Sequence, residues 1–331
     1  MRNVVRFLGL GILALVLAAG AMPSSTARAA GEVLVGHVAG GTGALSPIVI
    51  KQQKMAEKNG VTITWRGFAD PAPLHQALQL AQIPVSSTTG IDAIIRSINA
   101  GRELQMVYPH IRNHMSVLVR KDAPYKSLAD LKGKRLGIYT WNTGSTATLV
   151  SIYKNLYGLD MRKDLQVIVA KGPAMPGLLE KEQLEAIHLF EPLPLKLVLS
   201  GKFRVLVATR DEWLKVKGGG EQLFAGIAVD AKWARENSDT LKRLVKTFKE
   251  SFEYIRSHPD VYVETGFIEL IGLKATPEIV RLFQERITPI FQTQFDVAFI
   301  KAQDKFLQDM VENEIVTKIP PNWYSLEYAP K

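Results

Sequence analysis

No cysteine occurs in the 331 residues. Its absence excludes disulfides, iron–sulfur clusters, zinc–thiolate sites, thiol nucleophiles and the acylated cysteine of a bacterial lipid anchor. Long apolar runs are scarce too. Only one stretch, at the N-terminus, raises the question of a membrane, which excludes a multi-span membrane protein. Nucleotide and hydrolase signatures are missing. No glycine-rich loop ends in Gly-Lys-Ser/Thr, and Gly40-Gly41-Thr42-Gly43 lacks both the full dinucleotide spacing and a ribose-binding acid. No Gly-x-Ser-x-Gly string stands at a strand–helix junction. The excess of 41 basic over 32 acidic residues gives a formal charge of +9, but it forms no stripe interleaved with aromatics, so nucleic acid is not expected as a partner.

What is present begins with an export signal. Arg2 and Arg6 precede an apolar run from Phe7 to about Ala21, followed by Pro23 and Ala27-Arg28-Ala29. A basic segment, a short apolar segment and an A-x-A site read as a secretory signal peptide over residues 1–29. Its removal takes away Arg2, Arg6 and Arg28 and no acid, which leaves +6 on the remainder. The mature chain is expected to be periplasmic, soluble and monomeric. With 47% hydrophobic residues it is globular, and its length suits two lobes at about 100–200 residues each.

Strands and helices alternate along the chain. Val33–Val38, 61–65, 83–85, 104–108 and 115–120 read as strands, with helices over about 46–58, 71–81 and 91–100. The pattern repeats with strands over 135–140, 165–170, 186–190 and 203–208 and a helix that ends at Gly158. From Ser238 onward the chain reads as helical, and Thr276-Pro277-Glu278 marks a helix start with cap, proline and acid in order. This alternation predicts an α/β protein with largely parallel sheets.

Three polar stretches stand between a strand and a helix: Gly41-Thr42-Gly43, Ser87-Thr88-Thr89-Gly90 and Asn142-Thr143-Gly144-Ser145-Thr146. Ligands of open α/β sheets bind beyond the carboxyl ends of strands, where helix N-termini offer unpaired N–H groups. Glycine admits close backbone approach, and Ser and Thr add hydroxyls. The same residues are also ordinary caps and turns. Trp141 could stack on an organic ligand or pack between lobes. Arg112 and His114 could face an anion or the rim, and Glu191 could accept from a ligand or cap a helix. His110 and His114 have a spacing open to metal, but Pro109 speaks against one helical face and no third ligand is near, so no metal and no cofactor are expected.

Residues 115–205 resemble periplasmic solute-binding proteins of the nitrate/sulfonate/taurine class, including members similar to thiamine-precursor binders. The resemblance rests on Val117-Leu118-Val119-Arg120-Lys121-Asp122-Ala123-Pro124, on Ser127-Leu128-Ala129-Asp130-Leu131-Lys132-Gly133-Lys134-Arg135-Leu136-Gly137, and on Gly158-Leu159-Asp160 and Phe190-Glu191-Pro192. Two turns depart from it: Ala81-Gln82-Ile83-Pro84 and Glu182-Gln183-Leu184-Glu185 stand where similar proteins often carry Gly-x-x-Asp or its glycine.

The resemblance implies a two-lobed periplasmic-binding-protein type II fold with an interlobe cleft and two hinge crossings. Residues 30–114 plus 225–331 would form one lobe and 115–224 the other. It implies a carrier, not an enzyme, that closes around a small organic anion such as a sulfonate or carboxylate and delivers it to an ABC permease at the inner membrane. The alternatives are a neutral or cationic heterocycle such as a thiamine precursor, or a stand-alone ligand sensor. The iron-dependent, pyrimidine-synthesising relatives of this fold use a cysteine-rich motif that this chain lacks. The residues expected to bind ligand are Gly41, Thr42, Gly43, Ser87, Thr88, Thr89, Arg112, Trp141, Asn142, Thr143, Gly144, Ser145, Thr146 and Glu191.

Overall fold

The computed structural model describes residues 31–69 and 71–330. The expected signal peptide lies outside them. The first lobe is built on a sheet of β1 (Glu32–Val38), β2 (Thr62–Phe68), β3 (Val85–Gly90) and β4 (Leu104–Arg112). The second is built on β5 (Met115–Arg120), β6 (Arg135–Ile138), β7 (Gln166–Val169), β8 (Ala186–Phe190) and β9 (Phe203–Ala208). The chain then returns to the first sheet as β10 (Leu223–Asp230). The strand orders are β2-β1-β3-β10-β4 and β7-β6-β8-β5-β9. The chain crosses between sheets twice, at Asn113-His114 and over 209–222.

Both sheets are mixed, which corrects the expectation of largely parallel pairing. β10 lies antiparallel between β3 and β4, and β5 lies antiparallel between β8 and β9. A strand that has just crossed from the other lobe enters its sheet from the cleft side, so it runs against the strands laid down by βα units.

A second correction concerns Ser87-Thr88-Thr89-Gly90, which read as a loop and is the second half of β3. Gly226 pairs with Thr89 and Ala228 with Ser86, so a buried strand satisfies its ladder whatever its side chains. Pro109 sits inside β4 because β4 is the edge of its sheet, where a missing N–H is tolerated. The helix expected over 46–58 is broken at Lys54 into Leu45–Gln52 and Met55–Lys58.

The core is aliphatic and aromatic. Helix Ser238–Ser257 buries Leu241, Leu244, Val245, Phe248, Phe252 and Ile255, an i, i+3, i+4 stripe against the first sheet. Helix Pro277–Arg286, capped by Thr276 as expected, adds Phe283 to the same cluster. Helix Asp304–Glu312 behaves differently. It packs on helix Gly144–Tyr157 of the second lobe, with Phe306, Leu307 and Met310 inward, so the C-terminal helices cover both lobes and not one.

β10 tolerates no side chain at its centre. A Cβ on Gly226 would lie 2.6 Å from both the Tyr108 carbonyl oxygen and the Met106 sulfur. Backbone on the neighbouring strand cannot retreat without breaking the ladder. Gly226→Ala is expected to cost about 2 kcal/mol through overpacking, read as a lower midpoint in urea unfolding with an unchanged slope.

Candidate functional site

The carboxyl ends of β1, β3, β6 and β8 meet where the lobes face each other. After β1 the chain turns at Gly41, whose φ of +66° is open to glycine without strain, into the short 3-10 helix Gly41–Ala44. The open side of Gly41 faces the Phe190 ring and Pro192 of the second lobe, each 3.8 Å from the place of a Cβ. The open side of Gly43 faces the Thr88 hydroxyl at 3.4 Å. Thr42 is buried within the turn. The first two polar stretches therefore share one wall.

That wall has a backing. His110 on β4 is fully buried, with its ring stacked on Phe252 at 4.6 Å and 13°. Its Nδ1 lies 2.8 Å from the Ser87 carbonyl and 3.1 Å from Thr88 Oγ1. A carbonyl only accepts, so Nδ1 carries the proton. Burial pushes His110 down to about 4, and the ring is neutral at pH 7. Thr88 is the partly accessible hydroxyl of β3. Ser87 is buried beside it, and Thr89 donates to Ser86 Oγ at 2.7 Å and faces inward.

The second lobe and the crossings contribute a cluster of aromatic rings, of which sequence reasoning had weighed only His114, as a partner for an anion or a metal. Tyr139, just past β6, stacks on Phe190 at the end of β8 with centroids 5.1 Å apart and 21° between planes. His114, in the first crossing, lies 6.0 Å from Phe190 and 6.5 Å from Phe224. Phe224 in turn stacks on Phe306 at 5.8 Å. Each is partly exposed except Phe306. Burial holds His114 down to about 4, so it too is a neutral ring. The only hint in the sequence was an aromatic at each strand end, a pattern that core strands share.

The loop after β6 is more self-contained. Thr143 caps helix Gly144–Tyr157 by accepting from the Thr146 N–H, and Thr146 Oγ1 donates to the Thr140 carbonyl at 2.6 Å. Ser145 Oγ and Thr143 Oγ1 are 3.1 Å apart, and both residues keep partial exposure. Trp141 carries the Arg162 guanidinium over its ring at 4.3 Å, so one face of the indole is covered by its own lobe. Asn142 is exposed, and its carbonyl accepts from Arg96 of the first lobe at 2.9 Å.

The charged candidates have partners within the chain. Arg112 lies 3.4 Å from Glu221, which also binds Arg210, and the trio spans the two crossings. Burial lowers Arg112, with Glu221 opposing the shift. Burial would lift Glu221, yet Arg210 and Arg112 hold its carboxyl below its ordinary value. Glu191 is 4% exposed, and both its oxygens are occupied: one accepts from Arg286, the other from the Leu195 N–H at 3.1 Å. It caps helix Leu193–Leu199 and ties it to helix Pro277–Arg286. Gly41 thus meets Phe190 across the cleft, with Gly43 and Thr88 against each other on its own wall, whereas Arg112, Glu191, Thr89 and Thr146 are committed to the protein. Among the described residues no three His, Asp or Glu gather as a metal site, and no helix is long and apolar enough to cross a membrane.

A family model described as "NMT1/THI5 like" matches residues 57–261. Among solved structures, the periplasmic aliphatic sulphonate binding protein SsuA of Escherichia coli superposes with a TM-score of 0.71 at 19% identity, over 91% of this chain and 92% of that one. The alkanesulfonate-binding protein SsuA of Xanthomonas axonopodis pv. citri, bound to MOPS, gives 0.70 at 19% identity over 89% and 99%. The periplasmic nitrate-binding protein NrtA of Synechocystis PCC 6803 gives 0.56 at 16% identity over 70% and 63%. At these identities the likeness shows the fold: the two-lobed architecture of periplasmic binding proteins. No curated protein sequence matches the chain.

Proposed function

The chain belongs to the NMT1/THI5-like family, and from that premise we propose that it is the periplasmic solute-binding component of an ABC importer. One small solute is held between the lobes by hinge closure and handed to a permease at the inner membrane. The family, the fold and the names of the sulfonate- and nitrate-binding structures support this role.

The observation that carries the ligand class is the composition of the wall. Tyr139, Phe190, His114 and Phe224 offer ring faces, and Thr88 and the turn at Gly41 offer a hydroxyl and amides. The nearby arginines Arg96, Arg112 and Arg286 each face a carboxylate of this chain. Such a wall favours a planar, uncharged heterocycle of the thiamine-precursor kind, stacked on Phe190 and hydrogen-bonded at its edge. The second reading, a small organic anion, draws support from the N-terminus of helix Gly144–Tyr157 and from the sulfonates named for the superposed structures.

Thermal-shift and calorimetric titration of the mature protein with a hydroxymethylpyrimidine, taurine and MOPS separates the two. A solute at 100 times its Kd is expected to add about 2.7 kcal/mol of stability. Stabilisation by the pyrimidine with no response to either sulfonate is the expected result, and Phe190→Ala should then weaken binding about tenfold. A response to the sulfonates alone establishes the anion reading. Silence towards all three and towards a wider panel of small solutes ends the carrier proposal.

A further inference from the structure

The N-terminus of helix Gly144–Tyr157 is already met by a carboxylate from the opposite lobe. Asp92, in the first turn of helix Ile91–Asn99, places Oδ1 3.6 Å from where a Cβ of Gly144 would stand. The same carboxylate accepts from Arg96 Nη1 at 2.8 Å, one turn further along its helix. Arg96 Nη1 in turn donates to the Asn142 carbonyl at 2.9 Å. The chain Gly144–Asp92–Arg96–Asn142 therefore crosses the cleft and returns. On the second lobe it touches only the loop and the first helical residue that flank the ligand wall. Asp92 is buried and Arg96 is half-exposed.

The chemistry is complementary at each contact. A carboxylate beside the first residue of a helix meets the positive end of the macrodipole, and a guanidinium beside a loop carbonyl makes a charge-assisted hydrogen bond. The absence of a side chain at Gly144 is what allows the carboxylate this close. Neither Asp92 nor Arg96 needs the second lobe to satisfy its own lobe, since the i, i+4 pair stays intact when the lobes part. Their contacts to Gly144 and Asn142, in contrast, exist only while the lobes are together.

We propose that Asp92 and Arg96 are positioning residues that form an interlobe clasp, gripping the Asn142–Thr146 loop in the closed state and thereby setting the fraction of molecules that are closed. This rests on the two-lobed carrier reading for its purpose but not for its test.

The test uses the full mature chain without solute. Because the sequence has no cysteine, Lys58→Cys on the first lobe and Lys132→Cys on the second, both exposed positions, give a single pair of spin labels for pulsed electron–electron distance measurement. Wild type is expected to show a short-distance population. Arg96→Gln and Asp92→Asn are each expected to reduce its ratio to the long-distance population about tenfold, the effect of losing one charge-assisted contact. Arg96→Lys should restore part of it. Thermal midpoints within a few degrees of wild type separate this from general damage, and Arg96→Gln keeps the test open should Asp92→Asn fold poorly. Distance distributions of Arg96→Gln that coincide with wild type overturn the clasp, as does a wild type with no closed population. No solute enters this measurement, so a failed solute screen would end the carrier reading and leave the clasp standing.

Discussion

Between pH 7 and pH 4 the protein is expected to lose most of its stability. His110 and His188 are 0% and 1% exposed, and Nε2 of each is buried with no hydrogen-bond partner. Burial pushes His110 to about 4 and His188 to about 3, from 6.5 in the unfolded chain. The unfolded state therefore binds two protons that the folded state refuses. Stability contributed by the neutral rings is full above pH 6.5 and is lost as pH falls towards the folded values. At about 1.36 kcal/mol per unit, each histidine removes about 3 kcal/mol by pH 4. Together that approaches the roughly 5–15 kcal/mol of a typical domain. His114, also held near 4, adds in the same direction. Glu191 acts oppositely, since burial raises its carboxyl and the folded state gains its proton first, but it is one group against three. Urea midpoints by circular dichroism at pH 7, 5.5 and 4.5 should fall steadily, and His188→Leu should flatten the slope. Equal midpoints at pH 7 and 4.5 would contradict the assignment of these rings as neutral.

The second large effect concerns Arg286. Replacing it by alanine strips Glu191 of its cation while leaving the carboxylate buried between β8 and helix Leu193–Leu199. Breaking a buried pair from one side costs about 3–5 kcal/mol, because a charge is left without a partner. Arg286→Ala is expected at the lower end, about 3 kcal/mol, since burial already raises the Glu191 carboxyl and it can take a proton once its cation is gone. That proton supplies an internal check. The deficit of Arg286→Ala should shrink as pH falls towards 5, whereas a loss of packing alone would not depend on pH. The double variant Glu191→Gln with Arg286→Met removes both charges and should recover most of the loss. If the double variant is as unstable as the single one, the pair is not what holds this flank.

Local signals were legible in the sequence because they depend on neighbours in the chain. Thr276-Pro277-Glu278 starts a helix and Gly158, with φ of +63°, ends one, as their chemistry requires. The strand–helix alternation likewise carried the fold class. What escaped was pairing at long range. Nothing near Ser87-Thr88-Thr89 announces that Leu223–Asp230 will return to lie beside it, so a polar buried strand read as a loop. The site was legible in part for the same reason. Gly41, Gly43 and Thr88 were singled out for glycine and hydroxyl chemistry, but Tyr139, Phe190 and Phe224 gather around His114 only through the juxtaposition of two sheets. Arg112 and Glu191 looked available because their partners, Glu221 and Arg286, are about a hundred residues away.

Helix Leu193–Leu199 has a consequence for how the molecule can be divided. Leu195 and Leu199, one turn apart, lie in the aromatic cluster of the first lobe, and Leu193, Leu197 and Val198 lie in the small cluster of the second. Lys196 adds a bond to the Ile271 carbonyl at 2.8 Å. Apart from the exposed Lys196, this helix divides its apolar residues between the two clusters and belongs to neither half alone. The second half expressed by itself would present Leu195 and Leu199 as a sticky stripe, and the first would lose their share of its core. Any scheme that splits the chain into two independently folding fragments would have to redesign this helix.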